Sequence, residues 1–221
     1  MLHAYPTKNG TGISIFGDYG DLTNLYETIH EIANSLSESN PRLESQSKLL
    51  MNFAYEIRKA YSGQRLTDKV RFADENELPY YGFQIVWPDV LIFISVLRHN
   101  AGYIQTSKLH QSYLYLLEYI VEKALFAYDA EGANSIQHFI GQRINITDPN
   151  AFIIYQALHI KFVTLKPGKK RFRELPSLII DHFSSYRPAY KELFQSLEAS
   201  AKEQNCQISD LELSEFPEIK W

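Results

Sequence analysis

The chain has a single cysteine, Cys206, among its 221 residues. That excludes an intrachain disulfide framework and any zinc site built from several thiolates. It also fits a reducing compartment. Long apolar runs are missing as well. The longest, Val90 to Leu97, falls far short of the ~20 residues a membrane-spanning helix needs. The opening residues, MLHAYPTKNGTG, lack the basic start and apolar stretch of a secretory signal. Asn145-Ile146-Thr147 fits the glycosylation pattern but carries no weight without such a signal. Excess positive charge is absent too. The formal net charge is −4, which disfavours nucleic acid as the main partner. These absences lead us to expect a cytoplasmic protein with no membrane partner.

Several catalytic signatures are present only in part. Gly10-Thr11-Gly12 begins like a dinucleotide loop, but Ile15 stands where the third glycine belongs. Gly168-Lys169 lacks the upstream glycine and following hydroxyl of a phosphate-binding loop. Gly12-Ile13-Ser14-Ile15-Phe16 misses the last glycine of a nucleophile elbow. His30-Glu31 starts a His-Glu-x-x-His zinc motif, which fails at Asn34. Glu27-Thr28-Ile29-His30 has the Glu-x-x-His spacing of di-iron bundles, but the chain holds no second copy. It reads as a surface pair. No metal or cofactor is implied.

Trp87-Pro88-Asp89 is the sharpest temptation, because WPD marks the acid loop of cysteine phosphatases. That chemistry needs a thiolate in a phosphate cradle beginning His-Cys and ending in Arg. Here Asn205 precedes Cys206, and Glu212 stands in the arginine's place and would repel phosphate. Helix physics explains the segment better. Pro88 suits a first turn, and Asp89 complements the positive end of the dipole. Val90 to Leu97 is apolar all round, as in a fully buried helix. Arg98 and His99 complement the negative end, and Gly102 supplies a left-handed cap.

Aromatic residues are plentiful at 14%, with 15 Tyr and 13 Phe. Tyrosine lines core edges, pockets and interfaces. Asn9-Gly10 between alternating apolar runs predicts a hairpin with strands at about 2–7 and 12–18. Asp21 is placed to cap a helix with an apolar face of Leu22, Leu25, Tyr26, Ile29, Ile32, Ala33 and Leu36. A second helix starts at Asn40-Pro41 and ends at Gly63. Lys69 to Phe72 is a short strand candidate, and Tyr80 to Trp87 a stronger one. Helices are expected near 88–102, 106–128, 131–142, 149–165, 174–185 and 188–204, with Pro149, Pro176 and Pro188 near first turns. Residues 211–216 alternate like a strand that returns to the N-terminal sheet.

There is no internal repeat or linker, so one domain over 1–221 is expected. It comprises a small sheet with two helices (1–87), a helical body (88–204) and an extended tail (207–221). The fold class is α+β, predominantly helical, with an N-terminal β-hairpin and small antiparallel sheet packed on a multi-helix body.

Two candidate sites follow. Lys166, Lys169, Lys170, Arg171 and Arg173 form the one dense basic cluster. It reads either as a solvated interhelical loop or as an anion contact. Arg98, His99, Asp89 and His30 are the candidates for a pocket in which a base, an acid and a guanidinium converge.

The runs MLHAYPTKNGTGISIFGDYGDLTNLYETIHEI and YGFQIVWPDVLIFISVLRH resemble an uncharacterised bacterial family, a domain of unknown function. The similarity spans most of the chain. It implies a bacterial, intracellular protein with no assigned activity, and it carries over no site residues.

Failed catalytic motifs and abundant tyrosine favour a non-enzymatic binding or interaction protein, of an immunity or accessory kind, whose partner is another protein or a second copy of itself. The alternatives are a hydrolase-like enzyme with a site built from distant residues, and an anion or nucleic-acid binder acting through 166–173.

Overall fold

The structure, a computed structural model, describes residues 1–36, 40–71, 77–211, 213 and 215–221. Four strands, β1 (His3–Pro6), β2 (Gly12–Gly17), β3 (Leu66–Arg71) and β4 (Glu77–Val86), form an antiparallel sheet in the order β1-β2-β4-β3. Among the described residues nine α-helices accompany it. The expected α+β, mainly helical class is the one observed.

The hairpin forms where Asn9-Gly10 predicts it. Gly10 has φ +63, and its N–H donates to the Thr7 carbonyl at 2.9 Å. The Thr7 hydroxyl accepts from the N–H groups of Thr11 and Gly12, each at 3.1 Å. A side chain at position 10 would strike the Tyr128 phenol.

Helix α1 (Tyr19–Asn34) begins three residues earlier than Asp21 suggests. Asp18 is the cap, and Asp21 closes the capping box from the N3 position. Helix α2 (Pro41–Tyr61) starts at the expected proline, and Gly63 follows it with φ +73. Within β3 the strand proposed at 69–72 is real as far as Arg71; Phe72 lies outside the described residues.

Helix α3 (Trp87–Ala101) is the centre of the molecule, with twelve of its 15 residues buried. Its apolar run packs between the inner sheet face, α2 and the later helices, as all-round hydrophobicity requires. One detail differs. Gly102 is right-handed, with φ −77, because its N–H closes a tight turn onto the His99 carbonyl.

Helix α4 (Lys108–Tyr128) is capped by Ser107 and α5 (Ala130–Ile136) by Asp129. The helix expected at 131–142 stops at 136 and tightens into a 3-10 turn through Phe139. Helix α6 (Ala151–Thr164) follows. The basic run, expected to be a loop, is itself a short helix, α7 (Lys169–Arg173), and the helix expected near 174–185 follows as α8 (Leu175–Phe183). Helix α9 (Pro188–Gln204) starts at its proline.

The described residues of the expected 211–216 strand form none; Glu212 and Ser214 lie outside the described set. The tail still returns to the hairpin. The Trp221 carbonyl accepts from Asn9 Nδ2 at 2.6 Å, and the Lys220 carbonyl accepts from the Thr11 hydroxyl. Among the described residues no helix is long and apolar enough to cross a membrane.

Candidate functional site

Pro88 sets the first turn of α3 so that Asp89 faces inward rather than toward solvent. The residue is only 5% exposed, so the helix dipole alone does not explain it. Helix α6 supplies the partners. Tyr155 and His159 are four residues apart and share one helical face. His159 Nδ1 lies 2.8 Å from Asp89 Oδ2. The Tyr155 hydroxyl donates to the same oxygen at a long 3.4 Å. Asp89 Oδ1 is buried with no partner among the described residues.

These groups open onto a cleft of about 330 Å³. Tyr55, Phe93 and Trp221 provide aromatic walls, and Asn52 and Gln84 bring amide groups. The ring of Tyr155 packs against Phe93 at 5.4 Å, and that of His159 against Phe216 at 5.8 Å. Glu56 also lines the cleft but is paired with Arg65 at 2.7 Å.

The electrostatics follow from burial and pairing. Burial pushes the His159 imidazolium down, but the Asp89 charge and hydrogen bond outweigh it and leave its pKa raised. Burial, then the neighbouring Asp89 carboxylate, holds the Tyr155 phenol well above the ordinary tyrosine range. Tyr155 is therefore a neutral donor. With Nδ1 committed to Asp89, the ring presents Nε2, which has no protein partner among the described residues. Protonated, Nε2 donates; neutral, it accepts.

Asp89 is the one sequence candidate in this cleft. Arg98 is nine positions further along α3, about 13 Å of helical rise away. It pairs with Glu118 at 2.7 Å and lies over the Tyr115 ring at 4.4 Å. His99 packs on Tyr103 at 5.1 Å. His30 packs on Tyr26 at 4.4 Å. The four expected residues therefore do not converge, since each is held by its own local partners.

The basic cluster divides in two. Arg171 is 2% exposed. It donates to the Phe162 and Leu165 carbonyls at the end of α6, at 3.3 and 3.2 Å, and to the Thr11 hydroxyl at 2.7 Å. Arg173 grips Asp129 through two hydrogen bonds of 2.6 and 3.0 Å, and Lys169 reaches the same carboxylate at 3.4 Å. Lys166 and Lys170 are exposed.

Sequence reasoning missed His159 and Tyr155. The available signal was a histidine and a tyrosine at i, i+4 spacing inside the apolar segment AFIIYQALHIKF. Among the described residues no cluster of three or more His, Cys, Asp or Glu could hold a metal ion.

The fold and cleft define a mainly helical α+β protein with a buried carboxylate–imidazole pair at the edge of an aromatic cavity. The chain belongs to the family described as Domain of unknown function (DUF6904), whose model matches residues 2–221. No curated protein and no solved structure matches it.

Proposed function

We propose that the protein is an intracellular, bacterial, non-enzymatic binding protein, and that the Asp89–His159 cleft holds a small planar ligand with a hydrogen-bond acceptor. The observation that carries this is the state of the buried pair beside an open cavity: among the described residues Asp89 Oδ1 is buried without a partner, and His159, held through Nδ1, has Nε2 free of any protein hydrogen bond. Rings on several walls suit a flat molecule, and Asn52 and Gln84 can read its edge. The volume of about 330 Å³ suits one or two rings.

The same pair favours a second reading, in which Asp89 orients His159 for general acid–base catalysis. Among the described residues no serine, threonine, cysteine or lysine lines the cleft, so this reading rests on proton transfer.

Thermal denaturation with a panel of nucleobases, nicotinamide and aromatic carboxylates tests the proposal. A compound that raises the midpoint of the wild type, but not of His159→Gln or Trp221→Ala, supports it. A panel that leaves the wild type unmoved, or shifts all three proteins alike, rejects the cleft as a ligand site. Chemical change in a bound compound, lost in His159→Gln, would instead establish the second reading.

A further inference from the structure

An antiparallel sheet packed on one face shows polar residues on the other. This one departs from that rule. Alternate positions on the side away from the core carry His3 and Tyr5 on β1, Phe16 on β2, and Leu78 and Tyr80 on β4. Tyr5 and Leu78 are 59% and 52% exposed. Register brings these residues together. His3 pairs with Phe16, and Phe16 with Gly82. Gly82 has no side chain, so the Phe16 ring settles over it; an added Cβ would lie 2.5 Å from that ring.

Tyr80 pairs with Asp68 on β3. On its other side, the Gly17↔Tyr81 pair brings Asp18 to the level of Tyr80. The Tyr80 hydroxyl donates to the Met1 carbonyl at 2.6 Å, and the His3 ring lies 6.2 Å away. The phenol is therefore held by the Met1 carbonyl, with Asp68 and Asp18 at the neighbouring strand positions. These residues wall a cavity of about 560 Å³ that shares no lining residue with the Asp89 cleft.

Among the described residues no lysine or arginine lines the cavity. The amino group of Met1 is already held by Asp21 at 2.7 Å. An anion would meet Asp18 and Asp68. A neutral apolar ligand would desolvate those carboxylates and offer their charge nothing beyond the backbone N–H groups of Asp21 and Lys69 that they already accept, at 2.7 and 2.8 Å. A cation with an apolar body satisfies both features, since aromatic faces attract positive charge and the carboxylates neutralise it. We propose that this groove binds a small organic cation, a quaternary or alkylated ammonium. The proposal stands apart from the reading of the Asp89 cleft.

Isothermal titration with choline and its neutral isostere 3,3-dimethyl-1-butanol tests it. Choline should bind saturably, and the isostere about tenfold more weakly. Asp68→Asn and Tyr5→Leu should each weaken choline several-fold, while His159→Gln should leave it unchanged. A short peptide carrying trimethyl-lysine separates the two sources of this chemistry: tighter binding than choline assigns a protein-borne ammonium, and weaker binding a free amine. The proposal is overturned if neither ammonium probe binds, if the isostere binds as well as choline, or if His159→Gln alone abolishes binding.

Discussion

Asp89 and His159, separated by 70 residues, meet at 2.8 Å in the interior. The contact ties the first turn of α3 to the third turn of α6. Among the described residues it also leaves one oxygen and one nitrogen of the pair without protein partners. A buried ion pair is weak support for stability, because desolvation offsets most of the attraction. Under the proposed function, a ligand would satisfy the two atoms that the pair leaves unmatched.

The pair should make stability depend on pH in a defined direction. The His159 pKa is raised above its ordinary 6.5. Its contribution is therefore complete below about 6.5 and declines as pH rises through the folded-state value. The stability difference between wild type and His159→Gln should be largest near pH 6 and shrink toward pH 9, as measured by urea denaturation. Burial lowers the His182 pKa, which gives the opposite slope, but that slope is common to both proteins and cancels. A difference that grows with pH would contradict the assignment.

Removing one member should hurt more than removing both. His159→Leu leaves the Asp89 carboxylate buried beside only the distant Tyr155 hydroxyl, and should cost about 3 kcal/mol. Asp89→Leu strands the imidazole. The double variant should be markedly less destabilised than the sum of the two, because an apolar pair carries no unpaired charge. Additive losses in denaturant titrations would show that the two groups do not couple.

Local physics was legible in the sequence where it had no competitor. The all-apolar run after Pro88 required a buried helix, and Asn9-Gly10 required a hairpin. Pro41, Pro188 and Gly63 marked helix ends because their backbone limits act in place. What needed tertiary contact was not legible. Asp89 was assigned to the helix dipole because its partner is on another helix. His159 was overlooked because an apolar helix surrounds it. The run from 166 to 173 looked like one charged loop, yet Arg171 is buried because the last carbonyls of α6 and the Thr11 hydroxyl await it. Arg98 was placed in a pocket on charge and position alone. Glu118 and Tyr115, one turn apart on α4, claim it instead.

Arg98 should behave as a packing residue. Its pair with Glu118 is about a quarter exposed on both sides, and its guanidinium stacks on Tyr115. Arg98→Met should cost about 1–2 kcal/mol. It should leave any ligand-induced shift in thermal midpoint unchanged. A variant that keeps wild-type stability but loses ligand response would return Arg98 to the site.

Asp129 joins two helices: it caps α5 and holds α7 through two bonds from Arg173 and a contact with Lys169. The Arg173 hydrogen bond is the main cause that lowers its pKa to about 2. Its contribution is present above the ordinary 3.8 and lost as pH falls through about 2. Arg173 is 42% exposed, so solvent screening discounts the pair, and Asp129→Asn should cost on the order of 1 kcal/mol at neutral pH. The gap between variant and wild type should narrow between pH 4 and pH 2 in denaturant titrations.

Arg171 links the basic run to the cleft. Its Nη2 donates to the Thr11 hydroxyl, which in turn donates to the Lys220 carbonyl, next to Trp221 on the cleft wall. Arg171→Lys keeps the charge but cannot reach two carbonyls and a hydroxyl together. If Arg171 is a strut, the variant should lose about 2 kcal/mol of stability through its stranded acceptors. It should also free the tail and weaken ligand retention in the cleft, with an effect like that of Thr11→Val. If Arg171 is instead an anion contact, Arg171→Lys should stay near wild type in stability and in salt-dependent binding to polyphosphate, and Thr11→Val should change neither. Denaturation of both variants, with a polyphosphate titration at two salt concentrations, decides between the two roles.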